Sequence, residues 1–128
     1  MTDFKLTYEK REGYIYVKGS GVREDIHAIQ ESTRQFSAIM EETKALFVLL
    51  DYSTVVTIAS NSDIFNITRM YETNAPMLHS LCISIIINPA ETEMEKFWED
   101  ICKKRGFDFK IFTDPEEAKL WITKKISM

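Results

Sequence analysis

The stretch ALFVLLDYSTVVTIASNSDIFNITRMYE, residues 45–72, decides the fold. Its opening run, Ala45 to Tyr52, is apolar without alternation and has the length of a strand, the pattern of a strand buried on both faces of a parallel sheet. Its closing segment places Ile64, Ile67, Thr68 and Tyr71 on one stripe of an amphipathic helix that ends before Pro76. Between them lies DYSTVVTIASNS, residues 51–62, a polar loop at the carboxyl end of a central strand, where open parallel sheets place their ligands. A strand, loop and helix in that succession predict an α/β protein.

Outward from this unit the same two periods recur. FKLTYEKREGYIYVKG, residues 4–19, alternates Phe4, Leu6 and Tyr8 with polar residues, turns at Gly13 and returns, as a hairpin does. Val22, Ile26, Ile29, Phe36 and Met40 recur at helical spacing and predict a helix from Val22 to Met40. Beyond Pro76, LCISIII is a second buried strand, strengthened by branched isoleucines. Asn88 then offers an N-cap, Pro89 suits the first turn, and Glu91 is placed to complete a capping box. Met94, Phe97, Trp98 and Ile101 form the inner stripe of that helix, which Gly106 terminates. FDFKIF, residues 107–112, reads as an edge strand; Asp114 and Pro115 start a last helix with Glu116 and Glu117 in its first turn, Lys124 and Lys125 near its end, and Trp121 and Ile122 inward. The order is β-β-α-β-α-β-α-β-α. Right-handed crossovers make this a mostly parallel five-stranded sheet with four helices and an antiparallel first strand, one domain over residues 1–128.

Composition removes several classes of function. The 128 residues carry 16 Lys and Arg against 20 Asp and Glu, a net charge of −4, so no general positive field draws the chain to nucleic acid or anionic lipid. The basic cluster Lys103, Lys104 and Arg105 falls at a helix end, where cations complement the helix dipole. No charged leader opens the sequence and no apolar run approaches the roughly 20 residues that span a bilayer, so a cytoplasmic protein, not an integral membrane one, is expected. Cys82 and Cys102 lack metal-ligand spacing and read as reduced packing residues, and His27 and His79 have no ligand-spaced partners. No cofactor motif is present: Gly19-Ser20-Gly21 is too short for a phosphate loop and reads as a turn, and no serine sits in a nucleophile elbow.

The order of elements, the length and the stretch VLLDYSTVVTIASNSD resemble the STAS domain of bacterial regulators, named for sulfate transporters and anti-sigma-factor antagonists, whose prototype gives the SpoIIAA-like fold its name. Asp51, Ser53 and Val55 match the spacing of that family's third strand and switch loop. Ser60 matches too, whereas Ala59 stands where the family has an acidic residue, Asn61 at the usual phosphoserine and Ser62 at the glycine. The second half resembles the small STAS/Sec14-like bacterial proteins, through Arg105, Gly106, Phe107, Phe112, Thr113, Asp114, Glu116, Glu117, Ala118, Trp121 and Ile122. Every one of those residues also has a structural use, so the pattern identifies a fold relative and no reaction.

The resemblance implies a non-enzymatic protein-interaction or regulatory domain with an unidentified protein partner, which a homodimer would also suit. Its docking surface is expected at Asp51, Ser53, Ser60, Asn61, Ser62 and Asp63. An alternative is a phosphoserine-switched antagonist modified at Ser60 or Ser62, where about two negative charges would arrive at the positive end of a helix. Ser60 and Asp63 equally fit a capping box. A third alternative, a small apolar ligand or lipid, draws on Met70, Tyr71, Met77, Met94, Phe97 and Trp98. The carboxyl edge of the sheet gathers Asp51, Glu91, Asp114, Glu116 and Glu117, which disfavours a tightly held phosphate or sulfate there.

Overall fold

Alternation and turn chemistry set the first two strands. In a computed structural model of the chain, which describes residues 4–128, β1 (Lys5–Lys10) and β2 (Ile15–Ser20) pair antiparallel from Lys5 opposite Ser20 to Lys10 opposite Ile15. Gly13 makes the turn with φ 85°, a conformation that glycine adopts without the steric cost of a Cβ. The unbroken apolar runs become the middle of the sheet: β4 (Phe47–Asp51) lies parallel to β2, and β6 (Cys82–Ile86) parallel to β4. β7 (Asp108–Phe112) closes the sheet as its other edge, giving the order β1-β2-β4-β6-β7. The sheet is thus mixed: the first strand pairs antiparallel, as the sequence reading had it, and the other three pairings are parallel.

Two short strands depart from the sequence reading. β3 (Val22–Arg23) and β5 (Val56–Thr57) form a separate parallel pair in what reads as a helix start and a loop. The helix expected from Val22 begins later, as α1 (Ile26–Thr43), because Asp25 accepts a hydrogen bond from the Ala28 amide and so fixes the N-cap. Gly21, at φ 106°, turns the chain into β3. The remaining helices are α2 (Asn61–Asn74), α3 (Thr92–Lys104) and α4 (Pro115–Ile126), with short 3₁₀ segments at Pro76–Ser80 and Pro89–Glu91.

The helices divide unequally between the two faces. α1, α2 and α3 bury Ile29, Phe36, Ile64, Ile67 and Trp98 against one face, while α4 alone seals the other through Ala118, beside Tyr14, Leu49 and Ile86. Ser84, fully buried on β6, donates to the Ala118 carbonyl at 2.8 Å and so fixes α4 on the strand. Each fully buried aliphatic side chain contributes about 1.5–3 kcal/mol, so these two layers supply most of the stabilisation. Cys82 and Cys102 are free and buried, and burial pushes their thiols up to about 11 and about 12, which keeps both protonated.

Candidate functional site

The loop after β4 is built from its first residue outward. Asp51 is only 9% exposed, and both of its carboxylate oxygens are engaged. Oδ2 accepts from Tyr16 Oη at 2.5 Å with Lys18 Nζ at 3.8 Å, and Oδ1 accepts from the Ser53 amide at 3.0 Å and its Oγ at 2.7 Å. Burial pushes this carboxyl up, but the hydrogen bonds from Tyr16 and Ser53 and the Lys18 charge outweigh it and hold the group below the usual carboxylate value. Tyr16 is pushed up to about 12 by burial and by its bond to Asp51. Asp51 and Ser53 therefore make a turn that anchors the loop, with Asp51 buried and Ser53 half-buried.

The middle of the loop is held by backbone and by distant side chains. The Val56 amide donates to the Gly21 carbonyl and the Ile58 amide to the Arg23 carbonyl, while Asn88 Nδ2 reaches the Val55 carbonyl at 3.4 Å. The Thr57 amide donates to Glu91 Oε2 at 2.8 Å. Glu91 accordingly does not complete a capping box: Asn88 caps only the short 3₁₀ turn, α3 starts at Thr92, and the Glu91 carboxylate crosses to the loop.

The end of the loop caps α2. Ser60 Oγ accepts from the Asp63 amide at 3.1 Å, and Asp63 Oδ2 accepts from the Ser60 amide at 3.1 Å, a complete capping box. Ser60, Asn61 and Ser62 are exposed, and Asp63 is half-buried. Of the six residues expected to form a docking surface, only these last four lie on the outside of the loop's end; Asp51 and Ser53 belong to its base. The residues that sequence reading missed are apolar. Ile58 is 59% exposed, Phe65 46% and Val56 41%, while their neighbours Val55, Thr57 and Ile64 are buried. Nothing in the run Val55, Val56, Thr57 and Ile58 marks Val56 and Ile58 as the exposed pair, since the buried Thr57 is more polar than either of them.

Behind the loop, between the sheet and α1 to α3, lies a cavity of about 90 Å³. Its walls include Phe36, Leu50, Ile83, Phe109 and Ile111, with Arg23, Ser32 and Glu95 among its polar groups. Of the residues expected to line an apolar site, Tyr71 and Trp98 do line it, whereas Phe97 instead carries the exposed Phe65 ring at 5.6 Å. Gly19 sits where the Tyr52 ring crosses β2: a Cβ there would fall 2.5 and 2.7 Å from two ring atoms. Gly19 is therefore a residue of close approach within β2, and not part of a plain turn.

The other sequence candidates stay apart from this region. His27 is exposed on α1, and His79 stacks on Phe107 with Nε2 at 3.0 Å from the Arg105 carbonyl oxygen. Arg105 pairs with Glu72 at 2.5 Å beyond the last turn of α3. Among the described residues no group of three His, Cys, Asp or Glu is placed to hold a metal ion, and no helix is long and apolar enough to cross a membrane.

Four helices on a five-stranded mixed sheet, with a capped helix after the loop of the central strand, make this an α/β SpoIIAA-like fold. Among solved structures the chain is similar to an anti-sigma factor antagonist from Mycobacterium paratuberculosis, with 13% identity and a TM-score of 0.63 over 94% of this chain and 95% of that one. It is also similar to an uncharacterised protein with a SpoIIAA-like fold from Shewanella loihica PV-4, with 12% identity and a TM-score of 0.59 over 95% of each chain. At such identities the likeness establishes the fold alone. No protein-family model matches the sequence, and no curated protein matches it.

Proposed function

We propose that the chain, as one STAS-like domain over residues 1–128, acts by binding a protein partner and not by catalysis, through the outer surface of the 51–62 loop and the start of α2. The observation that carries this reading is the exposure of Ile58, Phe65 and Val56 on a segment whose polar groups are largely satisfied internally. A preorganised apolar surface rimmed by Ser60, Asn61 and Ser62 is suited to docking, because little ordering entropy remains to be lost on binding. The similar Mycobacterium paratuberculosis protein is an anti-sigma factor antagonist, and regulation by protein contact is the role carried over to this chain. A photo-crosslinking residue at position 58, introduced into the chain in its native cell, is expected to yield one discrete protein adduct that a label at the exposed Leu120 on α4 does not. Equal labelling from both positions, or none from position 58, would overturn the reading.

The phosphoserine alternative has one observation in its favour. Ser62 is exposed in the first turn of α2 and lies outside the capping box, whereas the Ser60 hydroxyl is already engaged as the cap. Phosphate on Ser62 would sit at the positive end of the helix and recharge the docking surface. Intact-mass analysis of protein from its native cell is then expected to show a fraction heavier by one phosphate that maps to Ser62, with Ser60 the second site to check.

A further inference from the structure

The cavity behind the loop contains two charged side chains that do not satisfy each other. Arg23 is 5% exposed and Glu95 8%. Arg23 Nε donates to Thr57 Oγ1 at 3.0 Å and Nη1 to Ser32 Oγ at 3.3 Å, and the guanidinium carbon lies 4.8 Å from the Tyr52 ring centre and 5.5 Å from that of Trp98. Those bonds use two of the five N–H donors and leave Nη2 without a partner among the described residues. Glu95 makes neither a hydrogen bond nor an ion pair with any described residue. Every fully enclosed side-chain nitrogen or oxygen among the described residues does have a partner, so the free ends of Arg23 and Glu95 border open space, and the space they both line is this cavity. An ionisable side chain buried without a partner costs free energy that an apolar side chain would not, so Arg23 and Glu95 give an otherwise apolar cavity a built polar lining.

We propose that this cavity is a binding site for a small organic monocarboxylate with an apolar body, its carboxylate held by the free guanidinium N–H groups of Arg23 and its body lying against Phe36, Leu50 and Phe109. The charge of Arg23 selects an anion, and its planar fork suits a carboxylate. The apolar walls select what is attached to it. One water takes about 10–15 Å³ of such space, so the cavity holds roughly six to nine waters, or a single ring or short chain, and not a diacyl lipid. A doubly charged phosphate is disfavoured by the adjacent Glu95. The site is distinct from the docking surface and stands without that reading.

Glu95 gives the site a pH dependence. Burial pushes its carboxyl up to about 7, against the opposing charge of Arg23. The other titratable groups around the cavity are Tyr52 after β4, Tyr71 on α2, Cys102 and Glu99 on α3, and Glu91 in the turn before α3 contributes its charge. Burial raises the two tyrosines and Cys102, so these stay neutral, and Glu99 accepts the Ile111 amide at 2.7 Å. Below neutrality Glu95 keeps its proton and can donate to the bound carboxylate; above it, its own charge repels the ligand.

Trp98 lines the cavity and Trp121 lies on α4 across the sheet, so fluorescence of the full chain reports occupancy, with Trp121→Phe as the control that leaves the response in place. Titration with benzoate and hexanoate is expected to show saturable one-to-one binding near pH 6, at least about tenfold tighter for benzoate than for neutral benzamide, and weaker again by about tenfold near pH 8. Arg23→Met is expected to abolish the preference for the carboxylate, and Glu95→Gln to flatten the pH dependence. Benzamide binding as tightly as benzoate, or no saturation by either carboxylate up to about 10 mM, would overturn the proposal. Both comparisons are made on the unaltered chain and so hold even if Arg23→Met fails to fold.

Discussion

Ser60 and Glu95 show how differently single polar residues can be placed in one small protein. Ser60→Ala removes the acceptor of the α2 capping box and is expected to lower stability by about 1 kcal/mol, read as an earlier urea midpoint, while Ser60→Asp keeps an acceptor and most of that stability. Glu95 acts through its proton. Its folded value of about 7 lies above the ordinary 4.5, so between those values the folded chain holds a proton that the unfolded chain has released. Stability is therefore expected to fall as pH rises from about 5 to about 8, and Glu95→Gln to remove that slope, as urea midpoints at the two ends would show. Asp51 works in the opposite sense and at lower pH: held below its ordinary value, it contributes stability that is lost as pH falls through the acid range. The cap at Ser60 was legible because Asp63 lies three residues away. The bond from Thr57 to Glu91 was not, because 34 residues separate them and helix spacing suggested a nearer use for the same carboxylate.

At the level of elements, the long apolar runs and the caps of α2 and α4 were readable, and the short strands and the starts of α1 and α3 were not. β4 and β6 announce themselves as unbroken runs of branched and apolar side chains, and α4 by Asp114, whose side chain accepts from the Glu116 amide. β3 and β5 contain two residues each, too few for a period to register, and they exist because the backbone groups of Gly21, Arg23, Val56 and Ile58 find one another. Glu95 was legible in principle: it stands three residues before Trp98 and seven before Cys102, on the buried stripe of α3. β2 carries the sharpest prediction at this scale. Gly19→Ala drives a methyl group into the buried Tyr52 ring, which Phe4 contacts edge-on at 5.8 Å, and overpacking of this kind is expected to cost about 1–3 kcal/mol in thermal or urea unfolding.

The whole molecule pairs a net charge of −4 with a fold whose two sheet faces are covered by different numbers of helices. With no general positive field, the chain is expected to leave duplex DNA unshifted in a mobility assay even at low salt, where phosphate contacts are strongest. The unequal covering has a consequence for the order in which the protein is made. Three helices that shield one face precede β7 in the chain, but the second face waits for Ala118 and Ile122, which lie after it. Until residues 115–126 have emerged from the ribosome, Tyr14, Leu49 and Ile86 lack their helical cover, and the nascent sheet presents an apolar surface that only the last helix can withdraw from water.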